Sequence, residues 1–142
     1  MTKTPCDDYV KVRGVVFFAR MLDKIRLNHQ GLLPPGYNLG FSDSTSFDAR
    51  FCRFWTVDYD WLVKRTLAGG TDEEIFDDCF KDRLPLIEEQ VLAWNNFLLK
   101  RGWRDETNLQ EDKEELGLGH RDDILTYVDL HDADEGRKPR FS

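Results

Sequence analysis

Apolar residues recur along the chain with a period near 3.6, and no stretch shows the period of two that marks a half-buried strand. The spacing predicts an all-α protein, a single compact domain over residues 1–142 built from about five or six helices. Val15 to His29 reads as one continuous helix after Gly14, with Gly31 as its C-terminal stop before Pro34 and Pro35. Residues 34–46 read as loop, because Pro, Gly, Asn, Asp and Ser crowd together there with no apolar period. Ser46 suits the cap of a short helix from about Phe47 to Phe54, in which Phe47, Phe51 and Phe54 share helical spacing. Asp58 caps the next, which should turn Tyr59, Leu62, Val63 and Leu67 toward the core and end at Gly69-Gly70.

The run Thr71-Asp72-Glu73-Glu74 fits the capping box, in which a Thr hydroxyl and a Glu carboxylate satisfy orphan amides at a helix start, and that helix should reach about Asp82. Pro85 suits the first turn of a long helix with Ile87, Val91, Trp94 and Leu98 on one face and Gly102 as its stop. Residues 105–115 are acidic and weakly amphipathic, with Thr107 and Gln110 as a candidate cap, and read as a surface helix or a mobile connector. A last helix from Asp122 to about Ala133 should bury Ile124, Tyr127 and Val128. Residues 1–13 form a candidate mobile arm. No internal repeat and no long linker divides the chain.

The first helix raises a question of charge. Phe18, Leu22, Ile25 and His29 form one face, yet Val16 and Leu27 fall on the other side among Arg20, Asp23 and Lys24. A helix apolar nearly all round is covered on both sides, so those three charges should be partly desolvated and must find partners or a ligand. Arg20 can pair with Asp23 at i, i+3, and Arg50 or Arg53 could approach from the short helix. One reading is an internal ion-pair network that fixes packing; the other is an anion pocket in which Arg20, Lys24 and Arg50 hold a carboxylate or phosphate and Asp23 orients one of them. The first is favoured, since structural networks perturb charges as readily as active sites do.

Overall composition narrows the partners. A formal net charge of −7 disfavours nucleic acid and anionic membranes, which need a dominant basic field. Residues 1–70 hold 10 Lys/Arg against 7 Asp/Glu, whereas residues 71–142 hold 10 against 20, so any anion site belongs in the first half. Cys6, Cys52 and Cys79 are odd in number and in no C-x-x-C pair, which implies a reducing compartment; with no signal or membrane segment in view, a cytoplasmic location is expected. No metal is expected. His120 and His131 on one helix would stand about 16 Å apart at ~1.5 Å per residue, and the four carboxylates of residues 129–135 lack the D-x-D-x-D-G order of a calcium loop. P-loop, dinucleotide and nucleophile-elbow motifs are absent, so no cofactor is expected and no catalytic residue can be assigned. The four Trp read as core or core edge.

The run Phe17-Phe18-Ala19-Arg20-Met21-Leu22-Asp23-Lys24-Ile25-Arg26 resembles the opening helix of the bacterial domain of unknown function 5069, where a similar A/P-R-M/L-L/I-D-K-x-R pattern is followed by a loop and a short D-x-R-F helix, here Asp48-Ala49-Arg50-Phe51. The Asp58 helix, the Gly-Gly break, the Thr71 start and the ending Asp132-Ala133-Asp134-Glu135-Gly136-Arg137 are also similar, so the likeness covers most of the chain. Ala19 stands where many relatives have Pro. The resemblance implies a small helical fold and supplies no activity, substrate or cofactor. Two functions are therefore carried forward: a binding or interaction domain that recognises a small anion or a protein partner, with Arg20, Asp23, Lys24, Arg50 and Arg53 as candidate ligand-binding residues, or an enzyme acting on a small anionic substrate, with Asp23 or a nearby carboxylate as base and Arg20, Lys24 and Arg50 as charge stabilisers.

Overall fold

Val15 and Val16 do not begin the first helix. In the computed structural model, which describes residues 1–141, they form strand β2 (Val15–Val16) and pair antiparallel with β1 (Lys11–Val12), with Lys11 opposite Val16 and Val12 opposite Val15. Arg13 and Gly14 join the strands with φ of 51° and 83°, the two positive values that a two-residue hairpin of the favoured twist requires. Phe17, at φ 76°, turns the chain once more, and helix α1 starts only at Phe18 and runs to His29. The hairpin is an anchor rather than a surface feature, because Val12, Val15, Val16 and Phe17 are all buried and Trp94 Nε1 donates to the Val16 carbonyl at 3.1 Å. The expected all-α class is thus corrected to a mostly helical fold with one small sheet, and the expected five or six helices to seven among the described residues.

Most of the expected caps form. Ser46 Oγ accepts from Ala49 N–H at the start of α2 (Phe47–Trp55), Asp58 from Trp61 N–H at α3 (Tyr59–Leu67), and Thr71 with Glu74 closes a reciprocal box at α4 (Asp72–Phe80). Such caps satisfy amides that have no partner within the helix. Helix α5 (Glu88–Lys100) starts three residues beyond Pro85, which lies in the preceding turn. Its expected stripe is buried at Trp94 and Leu98, while Ile87, outside the helix, is 59 % exposed.

The chain divides into two compact units, the first Met1–Trp94 and the second from Asn95 onward, with α5 running across the boundary. The first has an aromatic core: Phe18 meets Phe76 edge-on at 5.1 Å, Phe51 meets Trp94 at 5.2 Å, and Trp55 meets Phe80 at 5.6 Å. These are edge-to-face geometries, which ring quadrupoles favour. In the second, Asn108 rather than Thr107 caps α6 (Leu109–Glu115), and Thr126 caps α7 (Tyr127–Asp134), five residues later than Asp122 suggested. Tyr127 Oη donates to Asp112, tying α7 to α6.

Candidate functional site

Two of the three questioned charges on α1 are deeply buried, and each faces a carboxylate. Lys24 is 5 % exposed; its Nζ lies 2.5 Å from Asp48 Oδ1 and donates to the Asn38 carbonyl at 2.8 Å. Asp48, 1 % exposed, accepts through Oδ2 from Gly40 N–H at 2.9 Å. Ser46 Oγ donates to the Gly40 carbonyl at 3.1 Å, so the pair and the α2 cap together clasp the 38–40 backbone on both sides. Burial lowers the Lys24 pKa, and the Asp48 carboxylate opposes that shift. Arg20, 3 % exposed, donates from Nη1 to the Cys6 carbonyl at 3.0 Å, and its Nε lies 3.8 Å from Asp8 Oδ1, a carboxylate with no exposure. Its guanidinium also sits 5.9 Å from the centre of the Tyr37 ring.

The remaining candidates point elsewhere. Asp23 is about a third exposed, accepts from Cys6 N–H at 2.9 Å and lies 3.4 Å from Arg26, which reaches on to Asp72 at 2.7 Å. Arg50 Nε donates to the Thr45 carbonyl at 3.1 Å, and Arg53 Nη2 to the Ser44 carbonyl at 2.8 Å, both on the loop before α2. The carboxylates that sequence reasoning missed are Asp8 and Asp48. Asp48 was visible in the D-x-R-F motif, but an Asp in a helix first turn reads as dipole compensation; Asp8 lay in the presumed arm and carried no signal.

Arg53 belongs to a different feature, an open groove of about 790 Å³ lined by Leu39, Phe41, Cys52, Arg53, Thr56, Val57, Asp58, Tyr59 and Asp60. One wall is the 39–41 loop, and the other is the corner between α2 and α3. They meet where Gly40, at φ 57°, lies flat on the Tyr59 ring: a Cβ on Gly40 would stand 2.5 Å from two ring carbons. Only glycine fits both that backbone conformation and that contact. The Arg53 guanidinium lies 6.0 Å from the centre of the half-exposed Phe41 ring. The Lys24–Asp48 pair adjoins this junction, since Asp48 Oδ2 accepts from Gly40 N–H, and burial first and the Asp48 charge second raise the pKa of Tyr59.

Among the described residues no group of three or more His, Cys, Asp and Glu could hold a metal ion. His29 is exposed at the end of α1, and His131 lies in α7 while His120 precedes it in a turn. EDTA should therefore leave the melting temperature unchanged; a drop of several degrees restored by zinc or magnesium would reveal a site. Each cysteine thiol is pushed up to about 12, chiefly by burial, with Asp23 also raising Cys6 and Asp48 also raising Cys52. An unfolded thiol ionises near ~8.5, so between that value and about 12 the unfolded chain has lost protons that the native one keeps. The stability these neutral thiols contribute is complete below about pH 8.5 and lost as the pH rises. Melting curves should fall above about pH 9, and Cys52→Ala with Cys79→Ala should flatten the slope; an unaltered slope would assign it to other groups.

No helix of the described residues is long and apolar enough to cross a membrane. No curated protein matches the chain. The sequence model of one family, Domain of unknown function (DUF5069), matches residues 2–137 of the 142, and the chain belongs to that family.

Proposed function

We propose that this is a non-enzymatic binding domain of the cytoplasm that recognises a small anion or a protein partner at the groove beside Arg53. The observation that supports this best is the different employment of the expected residues: Arg20 and Lys24 are buried against Asp8 and Asp48, whereas Arg53 lines an open groove with an exposed aromatic at its rim. Cations already matched by buried carboxylates hold backbone in place and have little left to offer a ligand. The enzyme alternative needs Asp23 or a nearby carboxylate as base with Arg20, Lys24 and Arg50 as charge stabilisers, and it draws less support because Arg20 and Lys24 are already matched by buried carboxylates and Arg50 donates to the Thr45 carbonyl. The net charge of −7 speaks against nucleic acid and anionic membranes as partners.

An amide NMR titration with phosphate and with succinate tests the reading. Shifts should cluster at Phe41, Arg53 and Tyr59 and vanish in Arg53→Ala. A parallel gain in melting temperature should also vanish, because a ligand bound only to the native state stabilises by mass action. Shifts centred on Arg20 and Lys24 instead would overturn the assignment and favour the enzyme.

A further inference from the structure

Resting on that reading, we infer that the groove takes a short segment of a protein partner in which an apolar side chain lies between an acidic and a basic one. The groove carries charge of both signs. From α2 the Arg53 guanidinium reaches the loop wall, where it donates to the Ser44 carbonyl and lies over the Phe41 ring. The α3 side holds Asp58 and Asp60, both exposed; Asp58 Oδ1 accepts from Trp61 N–H at 3.2 Å as the helix cap, so Asp60, which holds no cap, is the carboxylate assigned to an occupant. A small anion can hold Arg53 but gains nothing from the two carboxylates, so it binds weakly; a polyphosphate backbone, long enough to reach them, would be repelled. An occupant with both signs satisfies both walls.

Beside Thr56, the remaining lining is mostly apolar, with Leu39, Phe41, Val57 and the Tyr59 ring, and the volume of about 790 Å³ suits a ligand far larger than phosphate. The walls are also held in advance. The clasp of Lys24, Asp48 and Ser46 on residues 38–40 fixes the loop that presents Leu39 and Phe41, so little ordering is left for the moment of binding.

Random hexapeptide display against the full chain tests the inference, with the variant Arg53→Ala, Asp60→Ala as control, since both positions are exposed and the loss of one charge of each sign preserves net charge. Acid–apolar–base sequences should be enriched on the wild type and not on the variant. For a selected peptide, Arg53→Ala should weaken binding about tenfold, but should not weaken the same peptide with Gln in place of its acid; Asp60→Ala should behave likewise toward the base. Equal enrichment on both proteins would overturn the inference. Purely acidic winners that bind Asp60→Ala more tightly would overturn it and leave the anion reading standing. No enrichment, together with Arg53-independent succinate shifts, would overturn both.

Discussion

Lys24→Met should cost about 3–5 kcal/mol in urea unfolding at pH 7, a large share of the ~5–15 kcal/mol that holds a domain together. The loss comes mostly from what is left behind. Asp48, 1 % exposed, would keep its hydrogen bond from Gly40 N–H but lose the ammonium 2.5 Å away, and the Asn38 carbonyl would lose its donor. Methionine nearly conserves the aliphatic stem, so cavity formation adds little. Pairing it with Asp48→Asn removes the stranded charge and retains an acceptor for Gly40. The double variant should therefore be more stable than Lys24→Met alone, with a coupling of about 1–3 kcal/mol. A single variant within 1 kcal/mol of wild type would mean that the pair does not hold the loop, and the pre-organised groove would lose its support.

That pair also marks where sequence reasoning stops. Burial of Arg20 and Lys24 was legible, because a helix with apolar residues on both sides has no face on which to solvate them. Their partners were not. Asp8 and Asp48 stand 12 and 24 residues away along the chain, and no periodicity links a charge to a counter-charge brought to it by a loop. The nearer pairing, Arg20 with Asp23, is stereochemically available on the helix, yet Asp23 lies 3.4 Å from Arg26, also at i, i+3.

Helix starts were legible at Ser46, Asp58 and Thr71, whose side chains need only their own third neighbour to act, but not at Asn108 and Thr126, which cap in the same way close to competing candidates at Thr107 and Asp122. The hairpin was not legible for the complementary reason. Strands of two residues are too short to display alternation, and Val15-Val16 followed by Phe17-Phe18 continues an apolar run that suits a buried helix equally well. The deciding feature is Gly14, which directly precedes the expected helix and instead supplies, with Arg13, a positive-φ turn. The groove escaped for a similar reason. Arg53 was named as a possible partner for α1, but its α2 position turns it outward onto Ser44 and Phe41, and Phe41 read as an isolated aromatic in a loop.

Arg20→Ala should separate the structural and ligand-binding roles of α1 most sharply, because the two give opposite signs. As a member of the buried network, Arg20 compensates Asp8, bonds the Cys6 carbonyl and faces Tyr37, so its removal takes this counter-charge from a carboxylate with no exposure and loosens the N-terminal segment. The expected loss is again about 3–5 kcal/mol, seen as early melting or failure to fold. Adding Asp8→Asn should recover part of it. If Arg20 instead served a ligand, its removal would relieve the repulsion that helps lower the Lys24 pKa, and the fold would hold or gain slightly. The anion titration completes the test. With Arg53 as the contact residue, the Arg20→Ala, Asp8→Asn protein should keep the succinate shifts at Phe41 and Tyr59 wherever it folds. An Arg20→Ala protein as stable as wild type, with the anion response abolished, would return the site to Arg20, Lys24 and Arg50 and make the buried carboxylates part of its chemistry.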